Sequence, residues 1–201
     1  GFVNPPIEPD GEGAELYLND ADRNEAASFT GKAGKCLAVA PSAKWPTKRW
    51  PAERFTKAGE LLADKLGAHV VLVGGKGDRE LCRIVASMAS CETVNAAGKL
   101  SLRGTAAAIE GAIGFVGNDT GLMHMAGALN TPGVAVFGPT TAHLGFFPYK
   151  SPVRVVERKE VKCRPCTKQG QNDCPKKHFA CMTEVSVEDV VDAATGAIGK
   201  L

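Results

Sequence analysis

The stretch "GNDTGLMHMAGALNTPGVAVFGPTT", residues 117–141, follows the apolar run "AIGFV" (112–116) and begins with four turn-forming residues, Asn118, Asp119, Thr120 and Gly121. A small-residue helical pattern carrying His124 comes next, then a second apolar run, "GVAVF" (133–137), that stops at Gly138-Pro139-Thr140-Thr141. Two short Val-rich runs joined by one helix read as neighbouring strands of a parallel sheet. Each ends in a polar, glycine-bearing loop, and two such loops on one sheet face a common crevice.

Working outward, the same rhythm recurs about every twenty residues. Runs "CLAVA" (36–40), "HVVLV" (69–73), the weaker "TVN" (93–95) and "VRVV" (153–156) complete a set of six strands. They do not alternate strictly, as expected of strands buried on both faces. Helical stripes lie between them: Phe55, Ala58, Leu62 and Leu66; Leu81, Ile84, Val85 and Met88; Leu122, Met125, Ala126 and Leu129. A last helix carries Val187, Val190, Val191, Ala194 and Ile198 and opens on a Ser186…Asp189 capping box. Strand–helix–strand repetition predicts an α/β fold with a doubly wound, Rossmann-like parallel sheet over 35–201. Residues 1–34 are rich in Pro, Gly and acid. They read as a linker or N-terminal extension with one short strand ("ELYL", 15–18) and one helical turn.

In open α/β sheets, ligands bind beyond the carboxyl ends of the strands. Four loops there carry polar or glycine residues: "PSAKWPTKRWP" (41–51), "GGKGDRE" (74–80), "GNDTG" (117–121) and "GPTTAH" (138–143). The first holds Lys44, Lys48 and Arg49 with two tryptophans on a proline-stiffened backbone, which suits a diphosphate; a surface loop packed on its tryptophans is the plain alternative. Asp119 or Thr120 can cap the helix starting near Gly121, whose free amides attract an anion. Gly121 permits close approach of a ligand to the backbone. His124 lies one turn further on. An ordinary capped helix with a solvent-facing histidine would look the same. Thr140 and Thr141 offer hydroxyls to phosphate oxygens. The Gly-Gly loop matches neither the P-loop nor the dinucleotide fingerprint, which weakens nicotinamide and ATP readings. It suits a ribose held by Asp78 or Glu80, or simply a tight turn.

Composition excludes several classes. A formal net charge of +2 does not point to nucleic acid. No apolar run approaches the ~20 residues of a membrane span. The N-terminus lacks the layout of a signal peptide and an initiating Met, so a fragment or processed product is expected. Charge is unevenly placed. Residues 1–34 hold seven acids against Arg23 and Lys32, whereas residues 150–178 hold nine Lys or Arg against three acids. The basic segment suits a solvated loop, an anionic substrate or a membrane surface.

Taken together, "PSAKWPTKRWPAERF", "VVLVGGKGDRE", "GNDTGLMHMAGALNTPGVAVFGPT" and "CRPC…C…CM" resemble glycosyltransferase family nine, the bacterial heptosyltransferases of lipopolysaccharide core synthesis. The resemblance covers about residues 35–190 and is most specific where D-T-G-x-x-H joins F-G-P-T. It implies a GT-B enzyme, of which this chain is the C-terminal, donor-binding half, with the acceptor domain and its catalytic base absent. It implies a nucleotide-sugar donor, ADP-heptose, and a lipopolysaccharide core acceptor. By that likeness Lys48, Thr120, Gly121 and Thr140 meet the donor diphosphate, Asp119 and His124 the sugar, and Asp78 or Glu80 the ribose. The chemistry needs no obligatory metal or cofactor, and the setting is cytoplasmic, with room for peripheral contact at the inner membrane. Two other readings stand beside it: another GT-B nucleotide-sugar enzyme, such as an epimerase, or a non-catalytic nucleotide-binding α/β module.

Four of the seven cysteines, Cys163, Cys166, Cys174 and Cys181, fall close together with His178 among them. One C-x-x-C allows a structural metal, but a zinc ribbon has two. Free thiols are the alternative, and a cytoplasmic setting argues against structural disulfides. Cys36, Cys82 and Cys91 sit in core-like patterns.

Overall fold

The computed structural model describes residues 13–31 and 34–199. Six strands run in chain order: β1 (Cys36–Ala40), β2 (His69–Leu72), β3 (Thr93–Asn95), β4 (Gly114–Asn118), β5 (Gly133–Phe137) and β6 (Val153–Glu157). They form one all-parallel sheet of order β3-β2-β1-β4-β5-β6. The helices are α1 (Asp20–Thr30), α2 (Ala52–Leu66), α3 (Arg79–Met88), α4 (Leu102–Glu110), α5 (Gly121–Ala128), α6 (Ala180–Thr183) and α7 (Val187–Ile198). This is the doubly wound sheet that the apolar runs predict.

Connections leave β1 toward β2 and β3 on one side, and toward β5 and β6 on the other. Crossovers of one hand that step in opposite directions must place their helices on opposite faces. Accordingly, Leu37, Val39, Val70, Leu72, Val116, Val134 and Val136 pack with residues of α2, α3 and α7. Cys36, Ala38, Ala40, Val71, Phe115 and Ala135 pack with residues of α1, α4 and α5. Strand residues alternate between these two cores, and the five residues of each of β1, β4 and β5 are all buried. Ala40 of β1 is level with Gly117 of β4, and Asn118 of β4 with Val136 of β5, so their carboxyl ends open onto one crevice. The direction of winding reverses between β1 and β4, which makes this the switch point.

Three local expectations change. Residues 15–18 form no strand, and the single helical turn is an eleven-residue helix, α1. Its start is fixed by a reciprocal capping box between Asn19 and Asp22. Residues 1–12, 32 and 33 of the proposed linker lie outside the described residues. Helix α4, Ala-rich and capped by Ser101, has no stripe distinct enough to stand out in the sequence. Two stripes are also rotated. Cys82 and Val85 carry the buried face of α3, leaving Ile84 and Met88 more than a third exposed. Met123 and Ala126 carry that of α5, which turns Leu122 and Met125 toward the crevice. The Ser186…Asp189 capping box of α7 forms as expected.

Candidate functional site: a two-part cleft at the switch point

Asn118, the last residue of β4, holds the crevice in shape. Its buried carboxamide accepts from the Trp50 amide at 3.0 Å and donates to the Pro41 carbonyl at 2.9 Å. The long loop after β1 is thereby buckled onto the end of β4. Trp50 is itself buried against Phe55, with its indole N–H on the Val185 carbonyl. Arg164 does the same for the loop after β5. Its side chain is 3% exposed, pairs with Glu157 at 2.7 Å, and donates to the Gly138, Thr140 and Arg158 carbonyls. Neither residue stood out in the sequence, because a buckle is defined by the carbonyls it reaches and those come from distant segments.

The buckled loops bring Lys48, Asp119 and Thr140 together. Lys48 lies in a 3-10 turn, Pro46–Lys48, and its Nζ is 2.6 Å from Asp119 Oδ2. Thr140 donates to that same carboxylate at 2.5 Å. All three are buried, and the Lys48 ammonium sits 4.9 Å from the centre of the Phe146 ring. Asp119 therefore does not cap α5. The cap position is Thr120, in extended backbone, and its side chain makes no capping bond; its Oγ1 is buried with no hydrogen-bond partner among the described residues. Thr140, expected at the phosphates, is fully buried and turned onto Asp119 instead.

Two hollows open along the crevice. The first, about 350 Å³, lies over the loops after β1 and β2 and is walled by Gly74, Gly75, Asp78, Leu100, Leu102, Leu122 and Met125. The second, about 450 Å³, is lined by Trp45, Lys48, Asp119, His124, Phe146 and Gln169. Lys44, Thr120 and Gly121 line both and form the saddle between them. Lys44 makes no ion pair among the described residues and lies 5.3 Å from the Trp45 ring centre. Apart from its own chain neighbours and helix backbone, no described residue lies within 4 Å of where a Gly121 side chain would begin, so a ligand can approach the start of α5 closely. An exposed cation beside a helix N-terminus is an anion-attracting junction.

The ribose candidates separate. Asp78 lines the first hollow while its carboxylate accepts from the Gly75 amide at 2.7 Å. Glu80 lines neither hollow; it points outward into an exposed pair with Arg83. Of the sequence candidates, Lys48, Asp119, Thr120, Gly121, His124 and Asp78 converge on the crevice, and Lys44 and Gln169 join them.

All seven cysteines are free thiols. Burial pushes Cys82 up to about 12, and burial with the neighbouring Cys166 pushes Cys181 up to about 11, so both are inert packing groups. Cys163 Sγ lies 3.7 Å from His178 Nε2. Among the described residues no three His, Cys, Asp or Glu side chains are arranged to hold a metal ion. No helix among them is long and apolar enough to cross a membrane.

The chain is similar in sequence and fold to known proteins. Lipooligosaccharide heptosyltransferase 2 of Campylobacter jejuni is 28% identical over 166 residues, which make up 80% of this chain and 50% of that protein. The structure of E. coli ADP-heptose LPS heptosyltransferase II superposes with a TM-score of 0.75 at 23% identity, covering 99% of this chain and 56% of that one. A glycosyl transferase family 9 structure from Veillonella parvula gives a TM-score of 0.77 at 24% identity, covering 93% of this chain and 54% of that one. The chain thus spans about half the length of the proteins it matches. The model of glycosyltransferase family 9 (heptosyltransferase) matches residues 8–177, and with its sheet, switch-point cleft and D-T-G helix start in place, the chain belongs to that family.

Proposed function

We propose that this chain is the donor-binding half of a GT-B heptosyltransferase that moves heptose from ADP-heptose to a lipopolysaccharide core acceptor. The observation that carries the reading is the two-part cleft: two hollows of unlike chemistry meeting at a cationic saddle on a helix start. The first hollow, with leucines, Met125 and one carboxylate, suits a nucleoside, with Asp78 at the ribose hydroxyls. The second, with aromatic rings, a carboxylate, an imidazole and a carboxamide, suits a sugar. The diphosphate would lie on the saddle, against Lys44 and the first amides of α5. Rotation of the unpartnered Thr120 hydroxyl would present a further donor. ADP-heptose is proposed as the donor by analogy with E. coli ADP-heptose LPS heptosyltransferase II, whose fold this chain shares.

In the reaction an acceptor hydroxyl attacks the anomeric carbon, the bond to the diphosphate breaks, and negative charge grows on the leaving phosphate. Cations and amides fixed before the donor arrives stabilise that charge in the transition state. Lys48 contributes less free charge than its sequence position suggests, because Asp119 already neutralises it. Its larger role is to hold Asp119 as an ordered acceptor for sugar hydroxyls. The catalytic base belongs to the half of the enzyme that precedes this one. Calorimetric titration with ADP, UDP and their sugar conjugates tests the reading. ADP-heptose should bind more tightly than ADP, and ADP more tightly than UDP; failure of every nucleotide to bind would end it.

A further inference from the structure

The cysteine-bearing loop between β6 and α6 belongs to the fold of the cleft in a way that the donor reading leaves unexplained. Its segment Thr167–Gln171 reaches back across the sheet ends to the turn that carries Lys48. Thr47, 4% exposed, donates its hydroxyl proton to the Gln171 carbonyl at 2.8 Å, and the same oxygen accepts from the Gln171 amide at 2.9 Å. The Thr47 amide also donates to the Gln171 carbonyl at 3.2 Å, the third hydrogen bond between the two residues. Between these anchors the chain turns at Gly170, at a φ of +115°, with its α-carbon pressed on Trp45: a methyl there would lie 2.6 Å from three atoms of that side chain. Only glycine meets both conditions. The turn is closed by Thr167, whose hydroxyl accepts from the Gly170 amide at 3.2 Å. The residue presented at its tip is Gln169, which is exposed, lines the second hollow together with Asp119 and His124, and has a carboxamide bonded to no other described side chain or backbone group.

We propose that Gln169 is a specificity-determining residue of the sugar subsite, its carboxamide reading hydroxyls of the transferred sugar, and that Thr47 is a positioning residue that holds it there. The assignment rests on the donor reading above. A carboxamide both donates and accepts, so it matches a hydroxyl in either role, which a carboxylate or an ammonium cannot do. A glutamine on a clamped turn pays for its hydrogen bonds with less lost freedom than one on a mobile loop.

The test measures affinity for ADP-heptose and for ADP in parallel. Gln169→Ala should weaken ADP-heptose about three- to tenfold, the worth of one or two neutral hydrogen bonds, and leave ADP unchanged. Thr47→Val keeps the shape but removes the hydroxyl; it should weaken ADP-heptose selectively, and Thr47→Ser should restore it. If the wild-type chain prefers ADP-heptose over ADP and Gln169→Ala keeps that full preference, the role of Gln169 is overturned while the donor reading stands. If the wild-type chain does not distinguish the two ligands, there is no sugar subsite, and both fall. A loss in Thr47→Val that extends equally to ADP, or that serine does not restore, overturns the positioning role.

Discussion

A buried lysine and a buried carboxylate each lose their hydration, and each is tolerable only while the other is present. Lys48 and Asp119 stand in that relation, with Thr140 satisfying the same carboxylate oxygen. Lys48→Met should therefore destabilise the fold by about 3–5 kcal/mol, because it strands Asp119. Adding Asp119→Asn should recover most of the loss, since an amide keeps the Thr140 bond without a charge. Urea unfolding of the two variants checks this; a double variant as weak as the single one would show that the pair is not the cause. Lys44 behaves differently because it is exposed. Lys44→Ala should leave stability within about 0.5 kcal/mol and reduce ADP affinity by about 1.5–3 kcal/mol, the range for a charged hydrogen bond. Calorimetry that finds ADP binding intact in Lys44→Ala would move the phosphate contact elsewhere.

At the scale of elements, α1 is tied to α4 by ion pairs and hydrogen bonds as well as by the apolar contacts of Ala26 and Phe29. Arg23 meets Glu110 at 2.7 Å, Arg103 meets Asp22 at 2.7 Å, and Glu25 accepts from the amide and hydroxyl of Ser101. Hydrogen bonds from Arg103 hold Asp22 below the usual carboxylate range, and those from Ser101 do the same for Glu25. A carboxyl whose folded value is lowered contributes stability that is complete above its unfolded value and is lost as pH falls through the folded one. The tether should therefore be intact at neutral pH and weaken from about pH 4 downward. Amide hydrogen-exchange protection factors should show it: those of Asp20–Thr30 should drop between about pH 6 and about pH 3, while those of β1 hold. Equal retention in both elements would mean that apolar contacts, not charge, dock α1. Since Leu102 and Thr105 of α4 also line the first hollow, this tether steadies one wall of the crevice.

For the whole molecule, the described residues form a six-stranded sheet with the crevice at its switch point, and the chain spans about half the length of its relatives. On the proposed reading the groups at the crevice bind the donor, and the acceptor and the catalytic base lie outside this chain. The chain alone should thus bind donor and transfer no sugar. An assay with ADP-heptose and a truncated lipopolysaccharide acceptor, with and without the N-terminal half, measures this. Turnover by the isolated chain would place the base on Asp119 or His124 and refute the division of labour.

Local pattern was enough for much of this. Short Val-rich runs at regular spacing, all but the last bounded at the carboxyl end by Gly, Pro or Asn, determine parallel strands and the end of the sheet at which polar loops gather, because strand and turn preferences act over a few residues. The identity of D-T-G-x-x-H as a helix start beside a cleft was legible for the same reason. What only the tertiary structure decided is where each polar side chain turns. Thr140 and Glu80 both looked available to a ligand, yet one is consumed by Asp119 and the other by Arg83. Lys48 looked like a free cation and is half of a buried pair. Leu122 and Met125 looked like core and line the first hollow. Asn118 and Arg164 acquire their roles only from partners brought near by the sheet. A side chain's direction depends on long-range packing and on which buried groups still need a partner, and neither is written in the residues beside it.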